Sequence, residues 1–172
     1  MRTATVVVLI ALLSIHSQAQ SVSIEKDFER EKGRLSVVRY VTGEDASSGF
    51  YYFVYKSGSR VRKIRMVWNG GATDDPSAQD FYFKDGSPVL YVELSGKRGQ
   101  LAAVIRGRNT SLREVEKLYL KDSKVTMWVE NGKVIPSSDP RWTEKQSGVL
   151  EQFKEMLESY REYQQDKQRG NN

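Results

Sequence analysis

The sequence predicts a mainly β (α+β) protein. The expected architecture is an antiparallel β-meander of about seven to nine strands, a short N-terminal helix, and a C-terminal amphipathic helix packed on the sheet. Three observations predict it. The stretch Asp80–Glu93 alternates Phe81 and Phe83 with polar residues, turns at Asp85-Gly86, then resumes with Leu90 and Val92 on one face. That is the period of two of a half-buried strand, and Asp-Gly accepts the positive φ of a tight hairpin turn. The unit recurs: Tyr82, Lys84, Asp85, Val92 and Glu93 align without gaps to Tyr119, Lys121, Asp122, Val129 and Glu130, and a looser copy runs from Tyr55 to Val61. Finally, Val149, Leu150, Phe153, Met156, Leu157 and Tyr160 recur at three- and four-residue intervals, which draws one apolar stripe along a helix.

Along the chain, Met1-Arg2 followed by the apolar run Val6–Leu13 and the small residues Ser17-Gln18-Ala19 reads as a secretory signal peptide, residues 1–19, cleaved near Ala19. The run is shorter than the roughly 20 apolar residues that span a bilayer, so no transmembrane segment is expected after cleavage. Export to the periplasm or the extracellular medium follows as the expectation. Residues 20–163 are expected to form one domain and 164–172 a frayed polar tail.

Ser23 is placed to cap a helix that carries Ile24 and Phe28 and stops at Gly33. Strands are expected over Leu35–Val41, over the aromatic run Phe50–Tyr55, and over Arg60–Trp68. In the last of these, alternation fails between Val61 and Ile64 and marks a bulge near Lys63. Leu101, Ala103 and Ile105 alternate as a further strand, Asn131-Gly132 is a two-residue turn, and Val134-Ile135 is a short last strand. Asp139-Pro140 reads as an N-cap followed by Pro in the first helical turn, although Gly148 moves the regular part of the helix toward Ser147.

The phrases Phe81-Tyr82-Phe83-Lys84-Asp85-Gly86 and Tyr119–Val129 resemble a group of small exported bacterial proteins. Those proteins carry aromatic-aromatic-x-x-Asn/Asp-Gly-Lys hairpins and finish in a helix. The resemblance covers most of the chain after the signal peptide. It implies a hairpin meander closed by a helix in an envelope setting, and it implies no activity. The chain departs from the pattern at Ser123, where Gly is usual, and at Pro88. The hairpins are also similar to repeats of the MORN type, though too few and too uneven for a regular array.

Composition excludes several chemistries. The chain has no Cys, and its one His, His16, lies in the signal peptide. Beyond residue 19 there is neither imidazole nor thiol, so His- or Cys-dependent triads and zinc sites are not expected. No metal and no cofactor is expected: Asp74-Asp75, Asp85 and Asp122 lack calcium-loop spacing, and no phosphate or dinucleotide fingerprint is present. Losing Arg2 with the signal takes the net charge from +5 to +4, a modest attraction toward anionic surfaces. Asn109-Thr110-Ser111 is a glycosylation sequon that matters only in a eukaryotic secretory pathway.

Three groups of residues are candidate sites. The basic strand Arg60, Arg62, Lys63 and Arg65 suits phosphate, anionic lipid or acidic glycan, with Lys97, Arg98, Arg106 and Arg108 as extensions. It also suits the wet face of an edge strand, where charge suppresses edge-to-edge pairing, and the sequence favours that reading. Tyr51, Tyr82, Tyr91, Tyr119 and Trp128 would line a groove, Tyr91 and Trp128 as repeat equivalents, unless the C-terminal helix covers them as core. Glu93 and Glu130 are repeat equivalents and would form a glycosidase pair only across a cleft.

The expected function is a non-enzymatic exported binding protein, with Arg60, Arg62, Arg65, Tyr91 and Trp128 as candidate ligand contacts. An anionic-polymer binder acting through the basic strand is the alternative, and a carboxylate-dependent glycan hydrolase the second. Expected partners are a protein, an envelope glycan or a membrane surface rather than nucleic acid, with the chain a monomer or weak dimer.

Overall fold

A computed structural model describes residues 23–42, 49–68, 77–106 and 111–170. The signal-peptide reading and the sequon's first two residues lie outside these. The chain divides into two compact units, Met1–Leu35 and Ser36–Asn172. In the first, residues 23–31 form helix α1 and Lys32–Arg34 a 3-10 turn around Gly33. Ion pairs one turn apart, Asp27 with Arg30 and Glu29 with Lys32, brace α1.

The second unit is one antiparallel sheet of eight strands in strict sequence order. The strands are β1 (Ser36–Thr42), β2 (Phe50–Ser57), β3 (Arg60–Trp68), β4 (Ser77–Lys84), β5 (Ser87–Ser95), β6 (Arg113–Lys121), β7 (Lys124–Glu130) and β8 (Lys133–Ile135). Helix α2 (Arg98–Ile105) joins β5 to β6, and helix α3 (Trp142–Arg169) follows β8. The meander and the closing helix agree with the sequence expectation.

The hairpin repeat is more regular than the sequence phrases alone. β2–β3, β4–β5 and β6–β7 each shift register after a tyrosine: Tyr55, Tyr82 and Tyr119 are the last paired residues before the shift. The extra residue in the returning strand, skipped by the register, is Arg62, Val89 or Thr126. Each hairpin thus carries a bulge at the same place, which bends and twists the strand locally. Thr126 Oγ1 donates to the Tyr119 carbonyl at 3.2 Å across its bulge. The turns at Asp85-Gly86 and Asp122-Ser123 have both central residues at positive φ, as type I′ geometry requires.

Helix α3 crosses one face of the sheet. Val149, Phe153, Met156 and Tyr160 are its buried residues, whereas Leu150 and Leu157 are half-buried. Phe153 meets Phe81 and Phe83 edge-on, with ring centroids 5.1 and 5.3 Å apart. At the far end Tyr40 stacks on Tyr52 at 4.6 Å and on Tyr163 at 4.5 Å, and its hydroxyl lies 3.4 Å from Ser159 Oγ. Burial is the main influence that pushes the Tyr40 phenol up to about 12.

Three expectations need correction. Leu101, Ala103 and Ile105 lie in helix α2, not in a strand. Leu101 and Val104, three apart, are the buried pair, and the Gln100 side chain accepts the Lys97 backbone N–H at 2.7 Å. A short apolar run fits either period, and here the tertiary contacts chose. Helix α3 begins at Trp142, earlier than Ser147, and Asp139 caps the turn before it by accepting from the Arg141 backbone N–H at 2.9 Å. The helix also runs to Arg169, through residues expected to fray.

Candidate functional site

The basic strand β3 is not the expected edge strand but an interior one, paired with β2 and β4, and its cations do not form one patch. Strand residues alternate faces, and the bulge at Arg62 breaks even that order. Lys63 and Arg65 lie in the two cross-strand rows that face away from α3. Arg65 sits opposite Asp80 on β4 and donates two hydrogen bonds of 2.6 Å to its carboxylate. Lys63 Nζ lies 2.7 Å from Asp80 Oδ2, an oxygen that Arg65 also binds, and donates to the Tyr82 hydroxyl at 2.9 Å. Lys63 and Asp80 are only 4% and 3% exposed. Burial alone would push the Asp80 carboxyl up, and the two cations reverse this and hold it at about 2. This is a structural clamp across the sheet.

Arg60 is different. It flanks the β2–β3 turn, with a side chain 75% exposed and 3.7 Å from an equally exposed Asp85. The β2–β3, β4–β5 and β6–β7 turns all lie at one end of the meander. They bring Lys56, Arg60, Lys84, Lys121 and Lys124 there, against the two carboxylates Asp85 and Asp122. Lys121 and Lys124 stand directly opposite each other in register, an arrangement that repels. The C-terminal half of α3 adds Arg161 to this end. An open cleft of about 620 Å³ runs between α3, the start of β3 and the β4–β5 turn. Val61, Phe83, Leu157 and Tyr160 line its interior, and Arg60, Asp85, Arg161 and Gln164 its rim. Lys56 Nζ sits 5.7 Å from the centroid of the Tyr160 ring.

Tyr91 and Trp128 do share a row of the sheet, through Leu118 between them, but the row lies beneath α3 and both are buried. The helix stripe packs on them as part of the core. The guanidinium of Arg141 covers the Trp128 ring at 4.8 Å, and Lys145 approaches it at 5.8 Å. The small part of Tyr91 and Trp128 left uncovered lines a second, smaller cleft of about 340 Å³, together with Glu130 and Glu144.

The Glu93 and Glu130 pair takes a form the repeat did not reveal. Glu116 on β6 stands between them, opposite both. Lys145 Nζ lies 2.6 Å from Glu116, and Arg141 lies 3.4 Å from Glu130. Burial, then the neighbouring Glu116 carboxylate, push the Glu93 carboxyl up. Burial, then Glu93 and Glu116, push the Tyr91 phenol up as well. Two of the three carboxylates are therefore tied to α3, and they anchor the start of that helix.

Among the described residues no group of acidic or histidine side chains is arranged to hold a metal ion, and no helix is long and apolar enough to cross a membrane. Comparisons with protein-family models, with curated proteins and with solved structures each returned no match. The sequence reading missed Lys84, Lys121, Lys124 and Arg161 as site residues. The signal was present in the Lys-Asp phrase repeated at two turns.

Proposed function

We propose that the chain is an exported, non-enzymatic binding module whose partner is anionic, met at the turn end of the sheet instead of along the face of β3. The observation that carries this reading is the convergence of three hairpin turns that set Lys56, Arg60, Lys84, Lys121 and Lys124 at one end of the sheet. Lys84, Lys121 and Lys124 are exposed there. Exposed cations on rigid turns attract a polyanion or an anionic membrane surface at little conformational cost, and the attraction weakens with salt. Export rests on the N-terminal signal pattern and suits an envelope glycan or lipid surface as the partner.

The test is binding of the full chain to heparin and to vesicles containing phosphatidylglycerol at rising salt. A combined Lys84→Glu, Lys121→Glu and Lys124→Glu variant should lose binding, and wild-type affinity should fall steeply between 50 and 200 mM salt, roughly the range over which phosphate contacts are screened. Affinity that ignores both salt and the triple substitution would remove the turn end as the site.

A further inference from the structure

We infer that the cleft beside α3 takes a single-chain anionic amphiphile, its acyl chain over Val61, Phe83 and Leu157 and its head between Arg60 and Arg161. This deepens the anionic-partner reading and rests on it. A polyanion alone needs only surface charge. It does not need an apolar cleft of about 620 Å³ beside that charge, within the range that buries a small ligand.

The two arginines come from separate elements, β3 and α3, and the packing of the helix on the sheet brings both to the same cleft. Among the described residues Asp85 is the one carboxylate on the rim, and its contact with Arg60 is 3.7 Å long and exposed at both ends. Such a pair is weak, and a ligand carboxylate or phosphate can replace it with shorter charge-assisted hydrogen bonds. Leu157 fits the inference too. It belongs to the apolar stripe of α3, yet it is only half-buried and turns part of its surface to the cleft.

The experiment is calorimetric titration of the full chain with dodecanoate below its micelle concentration. Acetate serves as the head without a chain, and dodecyl maltoside as a chain without charge. Phosphatidylglycerol vesicles and heparin run in parallel. The expected result is that dodecanoate binds at least tenfold more tightly than either control. Arg60→Gln with Arg161→Gln should weaken it at least tenfold, and Leu157→Asn should weaken it while far-ultraviolet circular dichroism stays unchanged.

Dodecanoate binding no tighter than acetate overturns the inference. If heparin or vesicles still bind in a salt-dependent way, the anionic-partner reading survives without it. If dodecanoate binds as expected but the polyanion and vesicles do not, the cleft is supported and the broader surface reading fails. Equal dodecanoate affinity in the double arginine variant would also overturn the assignment of the head-group site.

Discussion

Replacing Phe153 by Ala tests whether α3 is part of the folded unit or a mobile arm that docks elsewhere. The ring is 1% exposed, so truncation empties a site that is packed on all sides. It removes two edge-on aromatic contacts, each worth about 0.5–1.5 kcal/mol beyond area burial. It also leaves a cavity over Phe81 and Phe83, whose backbones are fixed in interior strands and cannot close in. Together these predict a loss of about 3–5 kcal/mol, the range for buried Phe truncation. Urea unfolding followed by tryptophan fluorescence should show it as a lower midpoint with an unchanged slope, because Trp128 and Trp142 lie at the other end of the same helix–sheet contact. Glu155→Ala, on the exposed side of α3, should stay within about 0.5 kcal/mol of wild type. An unchanged midpoint for Phe153→Ala, with a change in molecular mass by sedimentation, would refute the packed helix and assign the stripe to association.

Asp80→Asn should cost about 3–5 kcal/mol, because it leaves Lys63 and Arg65 around a neutral amide. In the wild type the Asp80 carboxyl is held below its unfolded value. Its stabilisation is therefore complete above roughly pH 4 and is lost as pH falls toward about 2, an amount near 2 kcal/mol that acid titration of the unfolding free energy can read. Glu93→Gln should act in the opposite sense. The Glu93 carboxyl is raised, so its charge opposes folding at neutral pH; the amide should stabilise there, and the gain should vanish below roughly pH 4, where the carboxyl is protonated in both states. Ser123→Gly should raise stability by about 1 kcal/mol in thermal melts, because Ser123 holds φ at 57° in a turn where Gly carries no steric cost.

Much of the fold was legible because its signals are local. The Asp85-Gly86 and Asn131-Gly132 turns, the alternation in β4 and β5, and the failed alternation that marks the Arg62 bulge each depend on a few neighbouring residues. The stripe on α3 was readable for the same reason, although its deepest residues are Val149 and Phe153, with Leu157 displaced toward the cleft. Helix α2 was not legible, since over so short a run Leu101, Ala103 and Ile105 fit a strand's alternation while Leu101, Val104 and Ile105 fit a helix's spacing. The fate of the basic strand was not legible either. Asp80 is 15 residues from Arg65, and nothing in the local pattern says that β4 will place it opposite.

The candidate site divides the same way. Local sequence determined that each hairpin would carry cations next to its turn, and that tight turns would expose them, because turn residues protrude into solvent whatever the rest of the chain does. Only the tertiary structure decided that three turns share one end of the sheet, since that follows from strict antiparallel succession of β2 through β7. It also decided which cations are spent. Lys63 and Arg65 meet Asp80 in a buried clamp, while Arg60 meets Asp85 at the surface, where water competes for both charges. The physical reason is desolvation: burial makes a paired charge part of the framework, and exposure leaves it free to exchange partners.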